Sequence, residues 1–190
     1  MLKTMGKAIL LLFTLTLLTG IAYPLVVTGL TQLIFPHQAN GSLLSQDGKT
    51  IGSALIGQNF SSPRYFHGRP SAAGSNGYDA TQSGGSNLGP TNKLFLATVA
   101  QRAAQVRQEN GLTASTPVPS DLITASASGL DPDISPAAAQ IQIARVAKAR
   151  NISPQKVQAL VNQYTEGRQF GFLGEPRVNV LKLNMALDSL

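Results

Sequence analysis

The chain has 190 residues, a formal charge of +6 and no cysteine. That length allows one ordinary domain plus an extra element, and the cysteine count excludes disulfide staples. The positive balance does not describe a nucleic-acid surface: apart from Arg145, Lys148 and Arg150 the basic residues stand singly, with no stripe interleaved with aromatics.

From Ala8 to Phe35 the sequence reads "AILLLFTLTLLTGIAYPLVVTGLTQLIF", without a charged side chain. About 20 apolar helical residues cross a bilayer's hydrocarbon, so residues 8–36 are expected to form a transmembrane helix. A cleaved secretory signal is the competing reading, with Lys3 and Lys7 as its basic start and Ala22 before a cut. The apolar character runs far beyond Ala22, which favours an uncleaved anchor. Pro24 is expected to kink the helix, and Gly20 and Gly29 to let another membrane helix approach closely. Lys3 and Lys7 lie on a seven-residue tail, against Lys49 alone beyond the span. Residues 1–7 are therefore expected in the cytoplasm and residues 37–190 outside it, as a single extracytoplasmic α+β domain.

Within that domain, "GSLLSQDGKTIGSALIGQNF" reads as a hairpin about Asp47-Gly48. Residues 65–92 are rich in Gly, Ser and Asn and poor in large apolar side chains. Such a stretch cannot offset its ordering entropy from within, so by itself it is expected to be mobile. Tyr65, Phe66, His67 and Arg69 suit a partner surface, and the sequence makes them the leading candidates for a contact. The spacing of Phe95, Val99, Ala103 and Val106 predicts a helix ending near Gly111. A short strand is expected around Leu122–Thr124. Two helices then begin at Ser135-Pro136 and Ser153-Pro154, each a capping hydroxyl before a proline. Gly167 is expected to end the second of them. Residues Val178, Val180 and Leu183 suggest a strand.

Three enzyme-like signals are weak. "GSLLSQDGKT" has Leu43 where a phosphate-binding loop needs glycine. Ser153 and Lys156 match a Ser-x-x-Lys motif, but its companion elements are missing and Ser153 already serves as a cap. His37, His67, Asp131 and Asp133 supply too few ligands for a metal site. Arg145, Lys148 and Arg150 sit where cations complement a helix C-terminus.

Six stretches in order carry a family resemblance: "YPLVVTGLTQLIFPHQANGSL", "GSALIGQNF", "YFHGRPSA", "SGGSNLGPTN", "ITASASGLDPDISPAAAQIQIARVAKARN" and "VNVLKLNMALD". Together they resemble the C subunits of the bacterial Kdp potassium-transporting P-type ATPases. The resemblance implies a non-catalytic, single-span subunit in the bacterial inner membrane, within an ATP-driven potassium importer. Its implied partners are a channel-like potassium-binding subunit and an ATP-hydrolysing subunit. The implied role is to stabilise assembly and, as a chaperone, to raise the ATP affinity of the ATP-hydrolysing subunit. No cofactor of its own is implied, and ATP belongs to the complex. The alternative is a stand-alone anchored envelope module, or a minor hydrolase using Ser153 and Lys156.

Overall fold

The computed structural model describes residues 1–190, which divide into two compact units, Met1–Ser53 and Ala54–Leu190. The hairpin after the apolar helix therefore groups with that helix. The compact C-terminal unit begins at Ala54, not at residue 37.

In the first unit one helical run extends from Leu2 to Ile34, with a mean hydropathy of 2.2 and none of its span buried. It comprises α1 (Leu2–Leu17), a π-turn (Leu18–Ala22) and α2 (Tyr23–Ile34). The irregularity expected at Pro24 takes the form of this π-turn. Pro24 has no amide to donate and its ring would press on the Gly20 carbonyl, so the backbone widens immediately before it. Thr14, Thr19 and Thr31 each donate their hydroxyl to the carbonyl four residues earlier, at 2.8, 2.7 and 2.9 Å. Local bonds of this kind are what lipid demands of a polar group. The backbones of Gly20 and Gly29 are open, with no other group within 4 Å of where a side chain would begin. A short helix α3 (Pro36–Ala39) leads into the hairpin β1 (Leu43–Gln46) and β2 (Lys49–Ser53). Its turn places Asp47 and Gly48 in the left-handed region at φ 51° and 76°, as an Asp-Gly turn favours.

The second unit is built on helices. Helix α4 (Lys93–Glu109) is capped by Asn92, whose side chain accepts the Leu94 and Phe95 amides, and Gly111 follows it at φ 64°. Its inner face, including Phe95, Val99, Ala103 and Val106, is only half-buried. Helix α5 (Pro136–Arg150) is the centre of the core. It begins with the Ser135 hydroxyl accepting the Ala138 amide at 3.1 Å and ends at Asn151 in the left-handed region. Helix α6 (Pro154–Gln163) begins in the same way, with Ser153 accepting the Lys156 amide. Strands β3 (Asp133–Ile134), β4 (Thr165–Glu166) and β5 (Arg177–Asn179) form an antiparallel sheet in the order β3-β5-β4, and α7 (Val180–Asp188) closes the chain. Ile143, Val146, Val157, Val161, Val178, Leu183 and Leu187 are the main buried contributors to one cluster. The architecture is α+β.

Three local expectations are corrected. Residues 120–122 form a 3-10 turn rather than a strand. There Asp121 accepts the Ser135 amide at 2.6 Å, tying the turn to the start of α5. Helix α6 stops at Gln163, before Gly167, because Thr165 and Glu166 pair with β5. The strand expected through Leu183 ends at Asn179, whose side chain accepts the Lys182 amide and starts α7. Val180, Leu183 and Leu187 then lie three and four residues apart on the buried face, where a helical stripe outweighs the short alternation.

Candidate functional site

The glycine-rich stretch is ordered by polar side chains of distant helices together with the burial of Phe66 and Ala73. Asn184 of α7 accepts the Phe66 amide at 2.9 Å and donates to the Phe66 carbonyl at 3.0 Å. Gln142 of α5 treats His67 in the same way, at 2.8 and 3.2 Å. Each amide side chain thus replaces one rung of a β-ladder. Arg145 donates to the carbonyls of Pro63 and Tyr65 at 2.8 and 3.0 Å, and Arg150 to that of Arg64 at 2.7 Å. Burial holds the Arg145 guanidinium below the usual arginine range, and its four acceptors, including Asn110 and Gln142, compensate for lost water.

Further along, the Ser71 hydroxyl donates to the Gly129 carbonyl and accepts the amides of Ala73 and Tyr78. Tyr78, at φ 57°, donates its hydroxyl to the Arg69 carbonyl. Burial pushes that phenol up to about 12, the nearby Asp131 carboxylate adding to the effect. Gly129 packs so closely on Ala73 that a Cβ there would lie 2.7 Å from it.

The residues proposed from sequence as a contact surface have separate fates. Phe66 is corrected: its ring is 0% exposed and belongs to the core cluster, so it cannot be a surface anchor. Tyr65 donates to Asp188 at 3.0 Å and lies under the Arg150 guanidinium, 4.9 Å from the ring centroid. Arg69 pairs with Asp131 at 3.1 Å, while its Nε is enclosed without an acceptor. His67 is half-buried, with Nε2 at 3.2 Å from the Ser62 carbonyl and Nδ1 at 3.6 Å from Glu109. Burial, and then the Arg145 charge, lower its pKa; the Ser62 bond and Glu109 oppose them less strongly. The ring is therefore neutral near pH 7, and the short distance to Glu109 is not an ion pair there.

His67, Arg69 and Tyr78 line an open cleft of about 360 Å³ together with Arg102, Val106 and Glu109 of α4. Arg102 donates to the Ile123 carbonyl, and Glu109 accepts from Gln105 at 2.7 Å. Most polar groups of the cleft are thus engaged in holding the loop and α4 in place. Of the clamp residues, Gln142 and Asn184 escaped the sequence reading, and Arg145 and Arg150 were expected only to complement the end of their helix. A signal was present: Asn184 interrupts the apolar series Val180, Leu183, Leu187, and Gln142 interrupts Ala139, Ile143, Val146. A polar side chain inside a buried stripe needs a partner.

Residues 5–189 match the family described as K+-transporting ATPase, c chain. A relative from Methylococcus capsulatus, named potassium-transporting ATPase KdpC subunit, is 60% identical over 191 residues, covering 100% of both chains. One of the same name from Gemmatimonas aurantiaca is 56% identical over 190 residues, covering 100% of this chain and 94% of its own. Another from Mycobacterium tuberculosis is 57% identical over 183 residues, covering 96% of each. With an unpartnered apolar helix at one end, a compact α+β unit at the other and this similarity across both, the chain belongs to the KdpC family of K+-transporting ATPase c chains.

Proposed function

We propose that this chain is the accessory, non-catalytic subunit of an ATP-driven potassium importer, anchored by residues 8–36 in the bacterial inner membrane. The tail of residues 1–7 faces the cytoplasm, and the compact unit lies on the other side. Its partners are a channel-like potassium-binding subunit and an ATP-hydrolysing subunit, and it acts by stabilising their assembly. It holds no cofactor; ATP stays with the hydrolysing subunit, whose affinity for it rises through assembly. The observation that carries this reading is the family match over residues 5–189, joined to a span-length helix that none of the chain's own residues cover.

The hydrolase alternative loses support from Ser153, whose hydroxyl accepts the Lys156 amide as a helix cap. Sequence-proposed membrane contacts at Gly20, Pro24 and Gly29 remain part of the proposal: the open glycine backbones let a partner helix come close. Mild detergent extraction through a tag on this chain tests the core of the reading. Two larger membrane subunits are expected to accompany it, whereas a chain recovered alone refutes the assignment. A reporter active only outside the cytoplasm, fused after Leu190, is expected to be active; an inactive reporter in a stable fusion reverses the orientation.

A further inference from the structure

The largest outward-facing aromatic side chains of the C-terminal unit are not those of residues 65–69. Phe170 is 86% exposed, Phe172 70% and Leu173 48%, all on the hairpin between β4 and β5. This hairpin is pinned along its length. Gln169 and Leu173 exchange both backbone bonds at 2.9 Å, Arg168 meets Glu175 at 2.7 Å, and Arg177 meets Glu166 at 2.9 Å. At its tip Phe170 has φ 53° and Gly171 φ 83°. A left-handed backbone is unfavourable for a bulky side chain, and such positions persist only where the surroundings impose them, commonly at sites of function. Here a rigid hairpin holds a phenyl ring in a strained conformation with almost no contact of its own.

We propose that the tip Phe170–Leu173 is a docking finger that inserts into an uncharged apolar socket on another subunit of the complex. This rests on the subunit reading above and names a surface within it. Charge selects this occupant over lipid. The cations around the finger are matched by carboxylates: Arg168 by Glu175, Arg177 by Asp133 and Glu166, and Lys182 by Glu166. A surface that inserts among phospholipids normally presents free cations beside its apolar residues. The neutral collar fits a neutral protein rim instead. Two clefts of this chain do not suit a second copy's finger: one is lined by His67, Arg69, Arg102 and Glu109, and another by Asp121, Asp131 and Asp133. Rigid aromatic anchors carry much of the affinity at protein interfaces, because they bury a large area with few rotors to freeze.

The test compares the complex carrying Phe170→Gly with Phe172→Ser against the parent complex. Both side chains point outward, and glycine relieves the left-handed strain at 170. The variant chain in detergent is therefore expected to melt at or above the parent temperature. Recovery of the other subunits through a tag on this chain is expected to fall about tenfold. Recovery equal to the parent overturns the finger, as does a melting temperature that falls with it. If the parent chain itself purifies alone, the subunit reading fails and the finger with it; a parent that assembles while the variant assembles equally well removes only the finger. A photo-crosslinking phenylalanine analogue at Phe172 identifies the occupant. An adduct with another subunit of the complex supports the proposal, and adducts only with lipid or a second copy refute it.

Discussion

Truncating Phe66 separates the two readings of residues 65–69 most sharply. If this segment were a mobile surface loop, Phe66→Ala would leave stability unchanged. In the structure the ring is 0% exposed and packs in the core cluster, and its backbone is held by Asn184 at 2.9 and 3.0 Å. Removing a buried phenyl costs about 3–5 kcal/mol, a large part of the stability of an ordinary domain. At about 2–4 °C per kcal/mol for a chain of this size, the melting temperature should fall by roughly 10 °C. Asn184→Ala attacks the same site through polarity. It orphans a buried amide and carbonyl, each worth about 1–3 kcal/mol. Because both changes loosen one segment, their effects should couple and sum to less than the separate costs. Thermal melts of the detergent-solubilised full chain, followed by near-ultraviolet circular dichroism, read both. Leu96→Ala, on the exposed side of α4 at 53% exposure, is the control and should stay within about 0.5 kcal/mol. A Phe66→Ala shift no larger than that of Leu96→Ala refutes the ordered clamp.

His67 gives the fold a weak pH dependence with a definite sign. Its folded pKa lies below 6.5, so the unfolded chain binds the proton more readily. Stability contributed by the neutral ring is complete above about pH 6.5 and is lost as pH falls below that value toward the folded pKa. Melting temperatures between pH 7.5 and 5 should show this slope, and His67→Gln should flatten it; an unchanged slope assigns it to other groups. Ser153→Ala should cost about 1 kcal/mol as a lost cap while potassium-stimulated ATP hydrolysis by the complex persists. Loss of that activity in a folded, assembled variant would reopen a chemical role for Ser153.

What could be read from the sequence is what short-range chemistry decides. Ser135-Pro136, Ser153-Pro154 and Asp47-Gly48 act on amides and turns a few residues away, and the elements they imply are present. The segment 178–183 misleads because Val178 and Val180 alternate as in a strand, while the cap at Asn179 switches the period within one residue. Phe66 was not legible because the group that satisfies its backbone, Asn184, lies 118 residues away. Its neighbours looked like an anchor surface for the same reason: Arg145 and Arg150 reach back 80 and 86 residues to hold Tyr65 and Arg64. Read from α5 alone, those arginines complement a helix end; in the fold they fasten a loop. Phe170 and Phe172 are not legible as a surface in the sequence, since only the hairpin geometry shows that nothing else in the C-terminal unit covers them.

Under the proposed topology only residues 1–7 share a compartment with ATP, so any effect on ATP affinity must pass through the partners. Thermodynamics then constrains that effect tightly. If assembly with this chain raises ATP affinity by some factor, ATP must raise the affinity of the other subunits for this chain by the same factor. A tenfold effect corresponds to about 1.4 kcal/mol of coupling, within the range usual for allosteric pairs. The measurement is the equilibrium release of a fluorescently labelled chain from the detergent-solubilised complex, with and without a saturating non-hydrolysable ATP analogue. Retention should improve by the factor by which the chain improves ATP binding. The variant Phe170→Gly with Phe172→Ser should lower retention in both conditions while leaving the ratio between them unchanged, because a docking contact adds affinity without distinguishing the two nucleotide states. Equal retention with and without the analogue refutes an equilibrium chaperone. Weaker ATP binding in the absence of this chain would then reflect an ATP-hydrolysing subunit that fails to hold its fold when unassembled.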